Sequence, residues 1–139
     1  MKKILIINGP NLNLLGKREP LLYGSESFQS FFNTLKSEYT HAELDYVQCN
    51  EESELIKMIH KGANYDAVIL NPAAYSHTSI GVGDAVAAMD TPVFEVHISN
   101  VFARSAKRHH SYVSKYASGI IVGAGLDGYR MAIDQVLRL

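Results

Sequence analysis

Hydrophobic positions along the chain alternate between two spacings. Continuous apolar runs at 4–7, 67–70 and 120–122 have the pattern of strands covered on both faces of a sheet. Residues 43–50 alternate instead, with Leu44, Val47 and Cys49 among polar neighbours, and read as an edge strand in which Cys49 is a small buried hydrophobe. Residues 93–98 form a further strand that carries Glu95 and His97 on alternate positions, hence on one face. Between the strands the period lengthens. Phe28, Phe31, Phe32, Leu35 and Tyr39 recur at helical spacing, with Ser25 or Ser27 as the cap. A second helix, 51–62, turns Leu55, Ile56 and Ile59 inward, and further helices are predicted at 80–89 and at 129–139, the last with Ala132, Ile133 and Val136 inward. This alternation predicts an α/β fold with a five-stranded parallel sheet, right-handed crossovers and helices on both faces.

The polar interruptions fall at the strand ends. Asn8 stops the first apolar run, Gly9-Pro10 punctuates it, and the following loop holds Asn11, Asn13, Lys17, Arg18, Glu19 and Tyr23 before Gly24. Ligands of open α/β sheets bind beyond the carboxyl ends of the strands, so this loop reads as half of a site. The strand at 67–70 also ends on an asparagine, Asn71, and its loop carries His77. The strand at 93–98 contributes Glu95, His97 and then Ser99, and the long connection 99–118 is basic and polar, with Arg104, Lys107, Arg108, His109 and His110. Amides and arginines suit a small, polar, anionic substrate such as a hydroxylated carboxylate. A tyrosine and a histidine can serve as base and acid, and Glu95 is placed to orient the His97 ring.

Composition narrows the choice. The 139 residues suit one catalytic domain, 1–139. A net charge of -1 gives no bulk attraction to nucleic acid or to an anionic membrane. Cys49 is the only cysteine, which excludes an internal disulfide and fits a reducing cytoplasm. No apolar run approaches a membrane span, and the N-terminus enters a strand directly, without a signal peptide. The segment 123–128, GAGLDG, matches a dinucleotide fingerprint, but no strand and no ribose-binding acid follow before Leu139, so a tight turn into a helix explains it better. The histidines lack metal-ligand spacing, with only His77 and His97 able to meet at the strand ends. No nucleophile elbow is present.

The opening INGPNLNLLGKREPLLYG, the segment NPAAYSHTSIGVGDA from Asn71, FEVHISN from Phe94 and RHHSY from Arg108 together resemble the type II 3-dehydroquinate dehydratases across essentially the whole chain. The resemblance implies a flavodoxin-like three-layer sandwich, no cofactor, and reversible loss of water from 3-dehydroquinate to give 3-dehydroshikimate. That reaction belongs to the shikimate pathway toward chorismate and the aromatic amino acids. By position, Tyr23 resembles the general base and Arg18 the residue that holds it as phenolate. His97, oriented by Glu95, resembles the acid that protonates the departing hydroxyl, and Asn11 the holder of the water that stabilises an enolate. Asn71, His77, Arg108 and the Ile98 and Ser99 backbone resemble the substrate clamp. The base role is demanding: bringing a tyrosine from about 10 to 7 takes about 4 kcal/mol of preference for the phenolate, within reach of arginines in a site closed to water.

The resemblance also implies a homo-oligomer, a dodecamer built as a tetramer of trimers, in which Asp84 reaches the neighbouring site. A helical wheel of 80–89 agrees: Val82, Ala85, Val86 and Met89 share one side, and Asp84 lies opposite with Ile80, Ala87 and Ala88. The chain departs from the family pattern at Gly83, usually Arg, and at Ala73, Ser76, Phe102 and 105–107, positions that bear on subunit contacts and loop closure. Two other readings of the same fold stay open. A flavin or receiver domain would need a phosphate cradle or acids after the first strand, where Asn8-Gly9-Pro10 stands. A purely structural member would bind without turnover.

Overall fold

The apolar run at 4–7 lies inside a longer strand, and its neighbours dictate why. The computed structural model describes residues 1–17 and 26–139, and β1 (Lys2–Asn8) pairs in parallel on both sides, with β2 (Ala42–Gln48) and with β3 (Ala67–Asn71). β4 (Val93–His97) and β5 (Gly119–Val122) complete an all-parallel sheet of order β2-β1-β3-β4-β5. This is the flavodoxin-like order. β2 is an edge strand as the alternation predicts, although Cys49 is only half-buried, because an edge position leaves it covered from one side.

Period-2 alternation sends successive side chains of each central strand into two separate cores. On one face Ile4, Ile6, Ile69, Phe94 and Val96 pack against α1 (Phe28–Glu38) and α5 (Asp127–Leu137). On the other, Leu5, Ile7, Val68, Leu70 and Val93 pack against α2 (Glu52–Lys61) and α4 (Ile80–Ala87). Ser27 caps α1 by accepting from Ser30 N, and Ser79 caps α4 by accepting from Val82 N at 2.9 Å. On α4 the wheel is confirmed: Val82, Ala85 and Val86 are buried, while Ile80, Asp84, Ala87 and Ala88 are exposed.

Two segments differ from the sequence expectation. A one-turn helix, α3 (Tyr75–Thr78), precedes α4 where a loop is expected; four residues are too few to show a helical period. The 99–118 connection holds three short 3-10 turns, Val101–Ala103, Ala106–Arg108 and Ser114–Tyr116. Their i→i+3 bonds likewise leave no hydrophobic period to read. No helix among the described residues is long and apolar enough to cross a membrane.

Tyr129, on the first turn of α5, is fully buried against Phe28 and Phe31. Its hydroxyl donates to Asn8 Oδ1 at 2.7 Å and accepts from Asn71 Nδ2 at 2.9 Å. Burial pushes its phenol far above the ordinary range, and the hydrogen bond from Asn71 offsets only part of this, so it stays a neutral donor. Replacing Tyr129 with Phe leaves both buried amides short of a partner. The expected cost is about 2–4 kcal/mol in urea unfolding; a loss below about 0.5 kcal/mol would show that water replaces the hydroxyl.

Candidate active site

β1 and β3 are adjacent, but the chain leaves β1 for β2 on the opposite side of the sheet. The crossovers therefore part at the carboxyl ends of β1 and β3 and open a crevice there. Asn8 and Asn71 are paired in register at its floor. Gly9 N donates to Asn71 O at 2.8 Å, and a Cβ at Gly9 would lie 2.7 Å from the Pro72 carbonyl oxygen, so only glycine lets the two ends close. Asn71 Oδ1 in turn accepts from Ala73 N at 3.1 Å and holds Ala73 in a left-handed conformation, φ 51°. That kink aims α3, and with it His77, over the crevice.

The other wall is the end of β4. His97 Nε2 donates to Glu95 Oε2 at 2.6 Å, so Nδ1 is the ring nitrogen left for the cleft. The glycine-rich turn before α5 fixes this wall: Gly123 N donates to His97 O and Gly125 N to Ile98 O, both at 3.0 Å. Both glycines have positive φ, 84° and 63°. The amides that a nucleotide phosphate would need are already bound to β4, which is the physical content of the 123–128 motif.

Asn11, Asn71, His77, His97, Ile98, Ser99 and Arg108 line one cleft beyond the carboxyl ends of the strands. Arg104, which the sequence marked only as part of a basic run, lines it too. Asn11 is at the rim, in a left-handed conformation with φ 71°, and its amide donates to Asn50 Oδ1 at 3.0 Å. Glu95 sits behind His97, fully buried. Asp84 is not brought to this cleft; it lies on the exposed face of α4, beside a hollow lined by Ile80, Gly83, Tyr112, Lys115 and Tyr116. Arg18 and Tyr23 fall outside the described residues.

His77 Nδ1 donates to the His110 carbonyl at 2.7 Å, which leaves Nε2 as an acceptor. Burial lowers its pKa, and the nearby His97 and Arg108 push the same way, against the His110 carbonyl and Glu95. The His77 and His97 rings stack with centroids 5.9 Å apart. Two residues given no role by the sequence hold Glu95, Ser111 from the RHHSY segment and Ser114 beyond it: Ser111 Oγ donates to Oε2 at 3.1 Å, and Ser114 Oγ donates to Oε1. Burial pushes the Glu95 carboxyl up, but the His97 hydrogen bond and charge, with those of Ser114 and Ser111, outweigh it and hold the pKa below the usual value. Among the described residues no three His, Cys, Asp or Glu side chains are grouped to hold a metal.

The model of the family described as Dehydroquinase class II matches residues 2–137. The chain is 50% identical over 137 residues to the 3-dehydroquinate dehydratase of Actinobacillus pleuropneumoniae serotype 5b (strain L20), covering 96% of this chain and 89% of that protein. It is 47% identical over 139 residues to the enzyme of the same name from Vibrio cholerae serotype O1 (strain M66-2), covering 98% and 93%. The crystal structure of the type II dehydroquinase from Propionibacterium acnes superposes with a TM-score of 0.95 at 38% identity, over 100% of this chain and 98% of that one.

The depressed Glu95 pKa is a statement about stability. The unfolded chain binds a proton at Glu95 more readily than the folded one, so this contribution is complete above the ordinary value of 4.5 and is lost as pH falls through the folded value. Glu95→Gln should therefore flatten the dependence of unfolding free energy on pH below 4.5. At pH 7 it should cost on the order of 2 kcal/mol, the worth of hydrogen bonds to a charged group. Urea titrations from pH 3 to 7 measure both; an unchanged acid slope refutes the assignment.

Proposed function

We propose that this chain, which belongs to the class II dehydroquinase family, dehydrates its substrate through an enolate with Tyr23 as base and His97 as acid. The reaction itself, the reversible loss of water from 3-dehydroquinate to give 3-dehydroshikimate in the shikimate pathway, follows from the family and from the curated dehydratases at about half identity. The observation that supports the acid role is the contact of His97 with a buried, ionised carboxylate in a cleft shared with Asn71, His77 and Arg108.

In this reading Tyr23, held as phenolate by Arg18, removes a proton from the carbon next to the ketone. The electron pair moves onto the carbonyl oxygen as an enolate, stabilised through a water held by Asn11. As the enolate collapses, the carbon–oxygen bond of the neighbouring hydroxyl breaks and the departing oxygen takes a proton from His97. Glu95 keeps the ring turned toward the departing oxygen. The products are water and a conjugated enone; Tyr23 then carries a proton that His97 lacks, and solvent exchange restores both. Asn71, the acceptor Nε2 of His77, Arg108 and the backbone of Ile98 and Ser99 clamp the substrate's hydroxyls and carboxylate. Arg104 adds a second cation to the same wall. No step calls for a cofactor.

The test follows the ultraviolet absorbance of the enone on addition of 3-dehydroquinate. Tyr23→Phe keeps the ring and loses the titrating oxygen, so kcat should fall by more than tenfold with substrate binding nearly intact. A variant retaining more than about a tenth of the wild-type rate, a loss of only ~1.4 kcal/mol, removes Tyr23 as the base.

The outer face of α4 supports an assembly of trimers, four to a dodecamer, in which Asp84 serves a neighbour's site. Ile80 is 61% exposed there, and Ala87 and Ala88 are exposed beside the acid, a surface apolar enough to pack on a second copy. Mass in solution, together with Asp84→Ala, tests this. An assembled variant with weakened substrate binding is expected; a fully active monomer, or a variant unchanged in both assembly and affinity, rejects it.

A further inference from the structure

Gly83 stands on the buried side of α4, under the connection from β4 to β5. A Cβ there would lie 2.4 Å from the Tyr112 carbonyl oxygen and 3.1 Å from its carbon, both backbone atoms that cannot swing away. The missing side chain lets the backbone of Tyr112 sit directly on the helix. One more bond fixes it there: Tyr112 N donates to Ser76 O at 2.7 Å, at the start of α3. Val113, the next residue, is fully buried in the core between the sheet and α4. The residues on either side of this anchor are Ser111 and Ser114. Ser111 Oγ accepts from Val113 N and Ser114 N, both at 3.1 Å, which closes the turn on itself. The same oxygen donates to Glu95 Oε2, and Ser114 Oγ donates to Oε1. Both carboxylate oxygens are thus held from one turn, while Oε2 also receives His97 Nε2.

We infer that the turn from Ser111 to Ser114, docked on α4 through Gly83, is a positioning element that sets the Glu95–His97 pair. The inference rests on the proposed acid role of His97, which it deepens. Neither serine lines the cleft that holds the substrate groups; both act through Glu95. A carboxylate buried this deeply has two alternatives to being ionised and oriented: it takes up a proton, or it rotates to find another donor. Two hydroxyls from a rigid turn remove both alternatives. Both serines line an adjoining hollow with Glu95 and His97, which His77 from α3 and Arg108 and His109 from the connection also border, with Ile120 and Val122 closing it from β5. Among these, His97 is the charge that acts most strongly on Glu95. The glycine that departs from the family's usual arginine has a local reason in this chain: an arginine stem at 83 would meet the turn that holds the carboxylate.

Ser114→Ala is the direct test, since the Ser114 hydroxyl gives its proton to Glu95. We expect kcat to fall about tenfold with KM changed less than twofold. The acid limb of the kcat profile and the Glu95 carboxyl titration, followed by carbon-13 NMR without substrate, should both move up by about one pH unit, as for a charged hydrogen bond lost. Ser114→Thr, which restores a hydroxyl, should return both within twofold of the wild type. Gly83→Ala keeps both serines but displaces the turn, and should move kcat and the Glu95 titration in the same direction. Wild-type kcat and wild-type Glu95 titration in either alanine variant overturn the inference. The titration needs no turnover, so it reports on the turn even if the wild-type chain fails to dehydrate 3-dehydroquinate, a result that would instead sink the proposed function.

Discussion

One hydroxyl ties the working end of this sheet together. Parallel strands meet at their carboxyl ends without a hairpin, and at a topological switch point the two central strands diverge into different layers. Beyond the Gly9 N–Asn71 O bond, β1 and β3 are held together by Tyr129, which reaches across from α5 to Asn8 on one strand and Asn71 on the other. Each amide at the floor of the cleft is therefore a structural group first. Asn71 spends Oδ1 on Ala73 N and one Nδ2 proton on Tyr129, so among the described residues a single donor hydrogen is left without a partner. That restriction is a form of preorganisation: the amide cannot flip without breaking both bonds, and the left-handed Ala73 that aims His77 would go with it.

The second wall obeys the same logic with a charge in place of an amide. Glu95 is buried without solvent contact, an arrangement that costs several kcal/mol unless every lone pair is engaged. Three donors engage it, and one of them is the imidazole it orients. Here a buried carboxylate bonded to an imidazole is better understood as a specifier of geometry than as a source of stability. Its environment fixes which ring nitrogen faces the cleft, and the Gly123 and Gly125 amides keep the strand end under it from moving.

Much of this was legible in the residues. The apolar runs located the strands, and their abrupt ends at Asn8 and Asn71 pointed to the crevice between β1 and β3. Alternation placed Glu95 and His97 on one face, and the helical wheel put Asp84 on the outside. What stayed hidden shares one cause: partners distant in sequence joined by small polar groups. Ser111 and Ser114 lie 16 and 19 residues from Glu95, inside a segment with no period, and serine in a loop is common for many reasons. Tyr129 was legible as a helical residue but not as a ligand of Asn8, 121 positions away. The meaning of Gly83 also needed coordinates, since a close backbone approach leaves no pattern in one sequence.

The alternation along β4 explains why the β4-to-β5 connection is irregular. Phe94 and Val96 face the α1 and α5 layer and continue its apolar core. Glu95 and His97 necessarily face the other layer, where a crossover helix would normally lie. An amphipathic helix presents a stripe of apolar side chains to the sheet, and such a stripe would leave the carboxylate unpaired. Short 3-10 turns can bring hydroxyls and backbone groups inward at spacings a helix cannot. Here they do so while Val101 and Val113 plug the apolar gaps on either side. The cost falls on the edge, where Ile120 of β5 is 49% exposed and Phe102 61%. Placing a carboxylate and an imidazole on an interior strand thus decides the character of the layer above it, and the cations Arg104 and Arg108 reach the cleft on the same irregular backbone.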